Sequence, residues 1–230
     1  GELYVFGSTS STNLPTTVGS YDQTFNGGSY LLRGVLEYVT GTDAYIAKFN
    51  TNGTTLLAAT YVGGSGNDVV NSSAILGKNY GDDFRGEIIV DDNDDCWVAT
   101  TTTSTDIPII GGFQTVHGGS QDAIIFRMNS NLSDLLWSSY YGGSNDDAAY
   151  SIQLNSSNQP VFTGGTLSTD LTMATGLNTT NTGDVDGFIA LLDNTGSALL
   201  ASTYIGTTSY DQCYFVQIDL NDDIYVFGQT

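Results

Sequence analysis

Four short blocks of sequence recur in this chain at a fixed interval, and that interval restricts the possible folds more than any other feature. The first block reads Asp43-Ala44-Tyr45-Ile46-Ala47-Lys48-Phe49-Asn50 and returns as Asp122-Ala123-Ile124-Ile125-Phe126-Arg127-Met128-Asn129 and Asp186-Gly187-Phe188-Ile189-Ala190-Leu191-Leu192-Asp193. The second is Thr60-Tyr61-Val62-Gly63-Gly64, then Ser139-Tyr140-Tyr141-Gly142-Gly143, then Thr203-Tyr204-Ile205-Gly206-Thr207. The third is Glu87-Ile88-Ile89-Val90, Ser151-Ile152-Gln153-Leu154 and Phe215-Val216-Gln217-Ile218. The fourth occurs four times, at Val5-Phe6-Gly7, Val98-Ala99-Thr100, Phe162-Thr163-Gly164 and Val226-Phe227-Gly228. Three of its copies run on into Thr12-Asn13-Leu14-Pro15, Thr105-Asp106-Ile107-Pro108 and Thr169-Asp170-Leu171.

The spacing is 64 residues from Asp91 to Asn155 and again to Asp219, and 64 from Thr100 to Gly164 and again to Gly228. From Gly7 to Thr100 it is 93, and two insertions, residues 29–42 and about 69–85, absorb the excess. Every block is rich in Val, Ile, Tyr, Phe and Thr and is bounded by Gly, Asn, Asp or Ser, and no window carries a 3.6-residue apolar period. The pattern predicts an all-β chain of about thirteen strands, with four dissimilar strands per repeat. A β-propeller of four-stranded antiparallel blades meets that requirement. A β-helix repeats over far fewer residues, and a sandwich needs no such period. The segments are a partial repeat over 1–28, a repeat over 43–108 carrying both insertions, a repeat over 122–172 and a truncated repeat over 186–230. Three units are too few to close a ring of about four to eight blades, so a segment of a larger propeller is expected.

Composition narrows function by exclusion. Five Lys and Arg stand against 25 Asp and Glu, a formal charge of -20. Such a surface repels nucleic acid and anionic lipid, and it suits a soluble exported protein or one that meets cations. No apolar run approaches the roughly 18 residues of a membrane span, so no direct membrane insertion is expected. Cys96 and Cys213 occupy different repeat positions and are expected as small buried residues. The sequons at Asn52, Asn71, Asn131, Asn155 and Asn178 fit surface loops.

No catalytic constellation emerges. His117, the one histidine, sits in a Gly-rich loop without a nucleophile motif and reads as a surface residue. Glu2, Glu37 and Glu87 stand in no recognisable motif, and the Asp-box of sialidase-like propellers is absent. Asp91, Asn93 and Asp95, and likewise Asp219, Asn221 and Asp223, offer alternating oxygen ligands as calcium loops do. Cys96 and Ile224 stand where an EF-hand needs glycine, and the middle copy, Asn155 to Gln159, has no carboxylate, so a plain hairpin turn competes with calcium. Gly63 to Val70 matches a calcium β-roll nonapeptide only once, and Asp68, Asp147 and Asp211 could line one rim. The in-phase aromatics Tyr45, Phe126, Phe188, Tyr61, Tyr140 and Tyr204 read as core. The inserted segments are freer, since insertions in repeat proteins map to loops on one face. Tyr30, Arg33, Tyr38, Tyr80, Phe84 and Arg85 are therefore the candidate binding residues.

The succession Asp-Ala-aromatic-Ile-Ala-Lys-Phe-Asn, Thr-Tyr-Val-Gly-Gly-Ser-Gly-Asn-Asp, Ile-Val-Asp…Trp-Val and Ser-Thr-Asp-Ile-Pro…Gly-Gly-Phe-Gln-Thr resembles the SBBP family, the seven-bladed β-propeller repeat of bacterial exported proteins. It covers nearly the whole chain and departs at the two insertions and at Thr207, which replaces the second glycine. The resemblance implies secreted or cell-surface multidomain proteins, found in bacteria including the Bacteroidetes. Type IX secretion, adhesion or gliding, and no fixed enzymatic activity, belong to the same implication. The expectation is a non-catalytic binding or scaffold module recognising a glycan or a partner protein within a larger surface assembly. The alternatives are a polysaccharide-acting propeller enzyme, hydrolase or lyase, and a purely structural spacer.

Overall fold

A computed structural model describes residues 1–79 and 81–230. The chain is all-β, built of antiparallel sheets. Thirteen strands fall on the four recurring blocks: β1 (Leu3–Thr9), β4 (Asp43–Phe49), β5 (Leu56–Val62), β6 (Glu87–Val90), β7 (Cys96–Thr102), β8 (Asp122–Met128), β9 (Leu135–Tyr141), β10 (Asp147–Leu154), β11 (Pro160–Thr166), β12 (Asp186–Leu192), β13 (Leu199–Ile205), β14 (Gln212–Ile218) and β15 (Ile224–Gln229). Two more, β2 (Leu31–Arg33) and β3 (Leu36–Tyr38), form a hairpin inside the first insertion. The second insertion contains one 3-10 turn, Asp82–Phe84.

The sheets are offset from the sequence repeat by two strands. β6-β7-β8-β9 and β10-β11-β12-β13 are complete meanders, each joining the third and fourth blocks of one repeat to the first and second of the next. β1-β4-β5 is three-stranded and β14-β15 two-stranded. The sheets stack face to face in chain order and approach most closely at their leading strands, β10 lying against β6, β7 and β14, and β11 against β14. One apolar core therefore lies between each pair of sheets. Val98, Phe126 and Met128 meet Ala44 and Ile46 in one, while Ile125, Trp137 and Tyr141 meet Phe162, Phe188 and Leu192 in the next. Covered on both faces, β7 and β11 are buried along their whole length, which is why they read as continuous apolar or small runs rather than alternating ones.

The polar half of each motif holds these sheets in place. Asp147, fully buried where the chain enters β10, accepts from Gly143 N (2.8 Å), Ser168 Oγ (2.8 Å) and Thr166 Oγ1. Asp68 repeats the arrangement with Gly64 N (2.9 Å), Ser104 Oγ (3.0 Å) and Thr102 Oγ1. A second buried carboxylate opens the first-block strand. Asp122 accepts from Gly118 N (2.8 Å) and Gly119 N (3.0 Å), and Asp43 from Asn26 N (2.6 Å) and Gly27 N (2.9 Å). A Cβ on Gly142 would run into the Asp122 carboxyl, and one on Gly143 into Ser168 and Asp170, which accounts for the paired glycines. In the third copy Thr207 instead donates its hydroxyl to Asp211 (2.9 Å).

The conserved-phase tyrosines clamp the loops. Tyr61, Tyr140 and Tyr204 donate to the carbonyls of Ser11, Ser104 and Ser168 at 2.9, 2.9 and 3.0 Å. Those loops then run along the outermost strands, Ser138 N to Ile110 O at 3.1 Å and Ser202 N to Thr175 O at 3.3 Å, and cover an edge that would otherwise invite pairing. Three expectations are corrected here. Asp68, Asp147 and Asp211 are buried staples instead of rim residues. The His117 side chain is buried against the Tyr140 ring, centroids 5.3 Å apart, with Nε2 3.2 Å from Thr102 O. Asn71 is buried, bonded to Tyr150 Oη (3.3 Å) and Gln121 Nε2 (2.9 Å), which is incompatible with a surface sequon. Cys96 and Cys213 are both buried and unbonded.

Two outcomes follow from the staples. Asp147→Ala leaves three donors without their acceptor and is expected to cost about 2–4 kcal/mol, read as a lower denaturant midpoint at unchanged slope. Burial pushes the Asp68 and Asp147 carboxyls from 3.8 up to about 7, against the lowering effect of their donors. Between those values the folded chain holds more protons than the unfolded one, so this contribution to stability is full below about pH 4 and is lost as pH rises through about 7. The melting temperature should therefore be higher at pH 5 than at pH 8, and Asp147→Asn should flatten that slope, which separates the staple from general charge repulsion.

A candidate binding face on the inserted segments

Both insertions lie in loops at the same end of the strands, opposite the tight turns 91–95, 155–159 and 219–223. Leu-Leu-Arg-Gly-Val-Leu-Glu-Tyr-Val folds into the β2–β3 hairpin because Gly34, at φ +57°, takes the first position of a two-residue turn with Arg33 and Leu36 paired across it. Leu31 is turned inward and is buried. The remaining apolar side chains point to solvent: Val35 is 94% and Val39 68% exposed, with Tyr30, Leu32 and Leu36 about half exposed. Phe84 of the second insertion, also exposed, adds to this surface through Tyr38, ring centroids 6.3 Å apart.

Arg33 is the anchor of the hairpin. Its Nε donates to Asn71 O at 2.7 Å and lies 3.5 Å from Asp83 Oδ1, and its guanidinium also reaches Ser72 O. One charged head next to the turn thus ties the first insertion to the second while the aliphatic side chains around it stay exposed.

The second insertion is itself a strap across the leading strands. Leu76 is fully buried among Ala148, Tyr150, Val185 and Tyr214, and its carbonyl accepts from Gln212 Nε2 (2.8 Å). Arg85 pairs with buried Asp82 (3.0 Å) and lies 4.1 Å over the Tyr214 ring, which in turn bonds Asp82 at 3.3 Å. The strap therefore reaches from the first repeat to β14. Of the six candidates, Tyr30, Arg33, Tyr38 and Phe84 gather at the hairpin, Arg85 is committed inward to β14, and Tyr80 lies outside the described residues. The sequence reading missed Leu32, Val35, Leu36 and Val39, although apolar residues flanking a glycine in an otherwise polar insertion are a hairpin signal.

The turn residues proposed for calcium have other partners. Asp91 Oδ1 accepts from Asn93 N (2.9 Å) and Asp95 N (3.1 Å), and the Arg127 guanidinium joins Asp91 Oδ2 (3.1 Å) and Asp95 Oδ2 (2.7 Å). Asp219 Oδ1 accepts from Asn221 N (2.8 Å) and Asp223 N (3.0 Å), an arrangement that Asn155 reproduces with Ser157 N and Gln159 N at 3.0 and 2.9 Å. A carboxylate is thus dispensable for the turn, and no group of three or more His, Cys, Asp or Glu converges among the described residues. The paired carboxylates of Asp43 and Asp68, which both approach Gly63, are sealed from solvent and engaged as hydrogen-bond acceptors.

No family model matches the chain, and no curated protein matches it.

Arg33→Ala should release the hairpin without unfolding the sheets. Amide exchange over residues 30–39 is expected to accelerate by at least about tenfold while β7 and β11 keep their protection.

Proposed function

We propose that this chain is a non-catalytic recognition module in which the repeats form a rigid frame, an arc of β-propeller of the SBBP type, and the two insertions form the reading surface. The exported, cell-surface setting belongs to the same reading and draws on the acidic surface and the resemblance of the repeat blocks. The observation that carries it is an anchored hairpin with bare aliphatic side chains: Arg33, next to its turn, pins it to the second insertion while Leu32, Val35, Leu36 and Val39 face water. Contiguous exposed apolar groups on a pinned element are what a protein interface core requires. A glycan site needs flat aromatic platforms ringed by hydrogen-bonding groups, whereas this surface is mainly aliphatic, and its Tyr38 and Phe84 rings are tilted against each other at 53° with Tyr30 at its edge. A partner protein or peptide is therefore favoured over a sugar. The repeat's own carboxylates, the natural candidates for polysaccharide chemistry, are engaged in holding the fold.

Selection from a displayed random-peptide library, with a glycan array in parallel, tests this. Apolar-rich peptides should bind the wild type and lose at least about tenfold in affinity against Leu32→Asp/Leu36→Asp, with the array silent. Hairpin-dependent glycan binding, or peptides indifferent to the double substitution, would overturn the reading.

A further inference from the structure

Strands β2 and β3 pair Leu31 with Tyr38, Leu32 with Glu37 and Arg33 with Leu36, and residues directly opposite each other on an antiparallel pair share a face. Leu31, buried, and Arg33, bonded to the second insertion, mark the inner face. Leu32 and Glu37 therefore stand on the outer one, and the two-residue alternation adds Tyr30 and Val39 to it. We infer that this outer face takes a segment of a partner protein in which one Arg or Lys is set between apolar side chains, and that Glu37 is the residue that selects it. The inference rests on the reading of the hairpin as a docking surface and names the chemistry of what docks there.

The place of the carboxylate is the first argument. Leu32, Tyr30 and Val39 are 48, 56 and 68% exposed, and Glu37, exposed as well, stands among them. It faces Leu32 across the hairpin, with Cβ atoms about 5 Å apart in such pairs, and Val39 follows it two residues along the same face. Any partner that covers the aliphatic groups must cover this carboxylate too. A wholly apolar occupant would take it out of water with nothing in exchange, which offsets the gain from the aliphatic contact.

A basic side chain turns the same burial into a charge-assisted pair. Tyr30, diagonal to Glu37 on this face, is placed to lay its ring beside the incoming cation. The formal charge of -20 attracts basic segments over longer range and repels acidic ones, so the chemistry that fits at contact is also steered toward it.

The chain's own cations are spent elsewhere, which is the second argument. Arg33, on the opposite face of the hairpin, is directed to Asn71, Ser72 and Asp83. Lys48 pairs with Glu2 (2.6 Å), Arg85 with Asp82 (3.0 Å) and Arg127 with Asp91 and Asp95, while the Lys78 ammonium stands 4.7 Å from the Tyr210 ring centroid. These are all five Lys and Arg of the sequence, and among the described residues none of them pairs with Glu37. A second copy of the chain is therefore a poor occupant, since Lys78 is its one basic side chain outside an ion pair among the described residues.

The test selects a displayed random-peptide library on the full chain and on its Glu37→Lys form. Peptides taken by the wild type should carry an Arg or Lys flanked by apolar residues, and the Glu37→Lys form should select Asp or Glu at that place. For one selected peptide, Glu37→Gln should weaken binding roughly three- to tenfold. Replacing the peptide's basic residue by Gln should weaken it to the same degree, with no further loss when the two changes are combined. Hairpin-dependent apolar peptides without a basic residue, or a Glu37→Gln chain that binds as the wild type does, would overturn the inference and leave the docking reading standing. Peptides indifferent to Leu32→Asp/Leu36→Asp would overturn both. Concentration-dependent self-association that Lys78→Ala abolishes would also overturn the inference, since the occupant would then be a second copy.

Discussion

A carboxylate taken out of water is unstable unless nearly all its lone pairs are filled, and the packing of this protein is organised around that demand. Asp147 can be buried only because a backbone N–H from the Gly142–Gly143 turn and the hydroxyls of Thr166 and Ser168 converge on it. That convergence fixes three things together: the exit from one sheet, the entry into the next, and the start of the loop that returns along the outer strand. Apolar burial between the sheets is non-directional, and the staples add directional contacts that fix the position of one sheet on the next. Because Asp68 does the same one sheet earlier, each sheet is placed relative to its neighbour by the same polar contact.

This explains how a chain so rich in recurrent polar motifs can offer so little chemistry. The Asp, Thr, Ser, Tyr and paired Gly that recur in phase are used by the frame, each with an assigned partner in a neighbouring turn or strand. Residues outside the repeat's requirements are those free to evolve a surface, and they are concentrated in the two insertions. Even there the division is uneven. Among the described residues, the second insertion spends Asn71, Leu76, Asp82 and Arg85 on suturing β10 and β14, and the first carries most of the exposed apolar side chains.

The strands were readable because each block combines β-branched and aromatic residues with a sharp glycine or Asx boundary, and all thirteen fall where the blocks stand. The sheet phase was hidden, since an alignment of repeats has no preferred origin; only the hydrogen bonds reveal that β6 begins a sheet. The fate of a single side chain was harder still. Arg33 and Arg85 look alike in sequence, both basic residues in inserted loops, yet one props up an exposed hairpin and the other stacks on Tyr214. The difference comes from distant partners, Asn71 and Asp83 for Arg33, 38 and 50 positions on, and Tyr214 for Arg85, 129 positions on. Asp91 and Asp95 read as cation ligands for a sound reason: they do hold a cation, and it is the guanidinium of Arg127, placed beside them by strand pairing.

That last exchange shows how the repeat achieves specificity with few tools. Pairing strands through backbone bonds is nearly indifferent to sequence, and a slip of one residue would turn every side chain to the wrong face. Two polar contacts remove the ambiguity at opposite ends of the strand. At its start, Asp122 must reach the N–H groups of Gly118 and Gly119; near its end, Arg127 must reach the acids of the neighbouring turn. Where the turn is neutral, at Asn155 and Gln159, the strand carries Leu191 and relies on its Asp186 end alone. Charge at the sixth position of these strands thus follows the charge of the group it faces, and mismatching it would strand a half-buried charge without a partner.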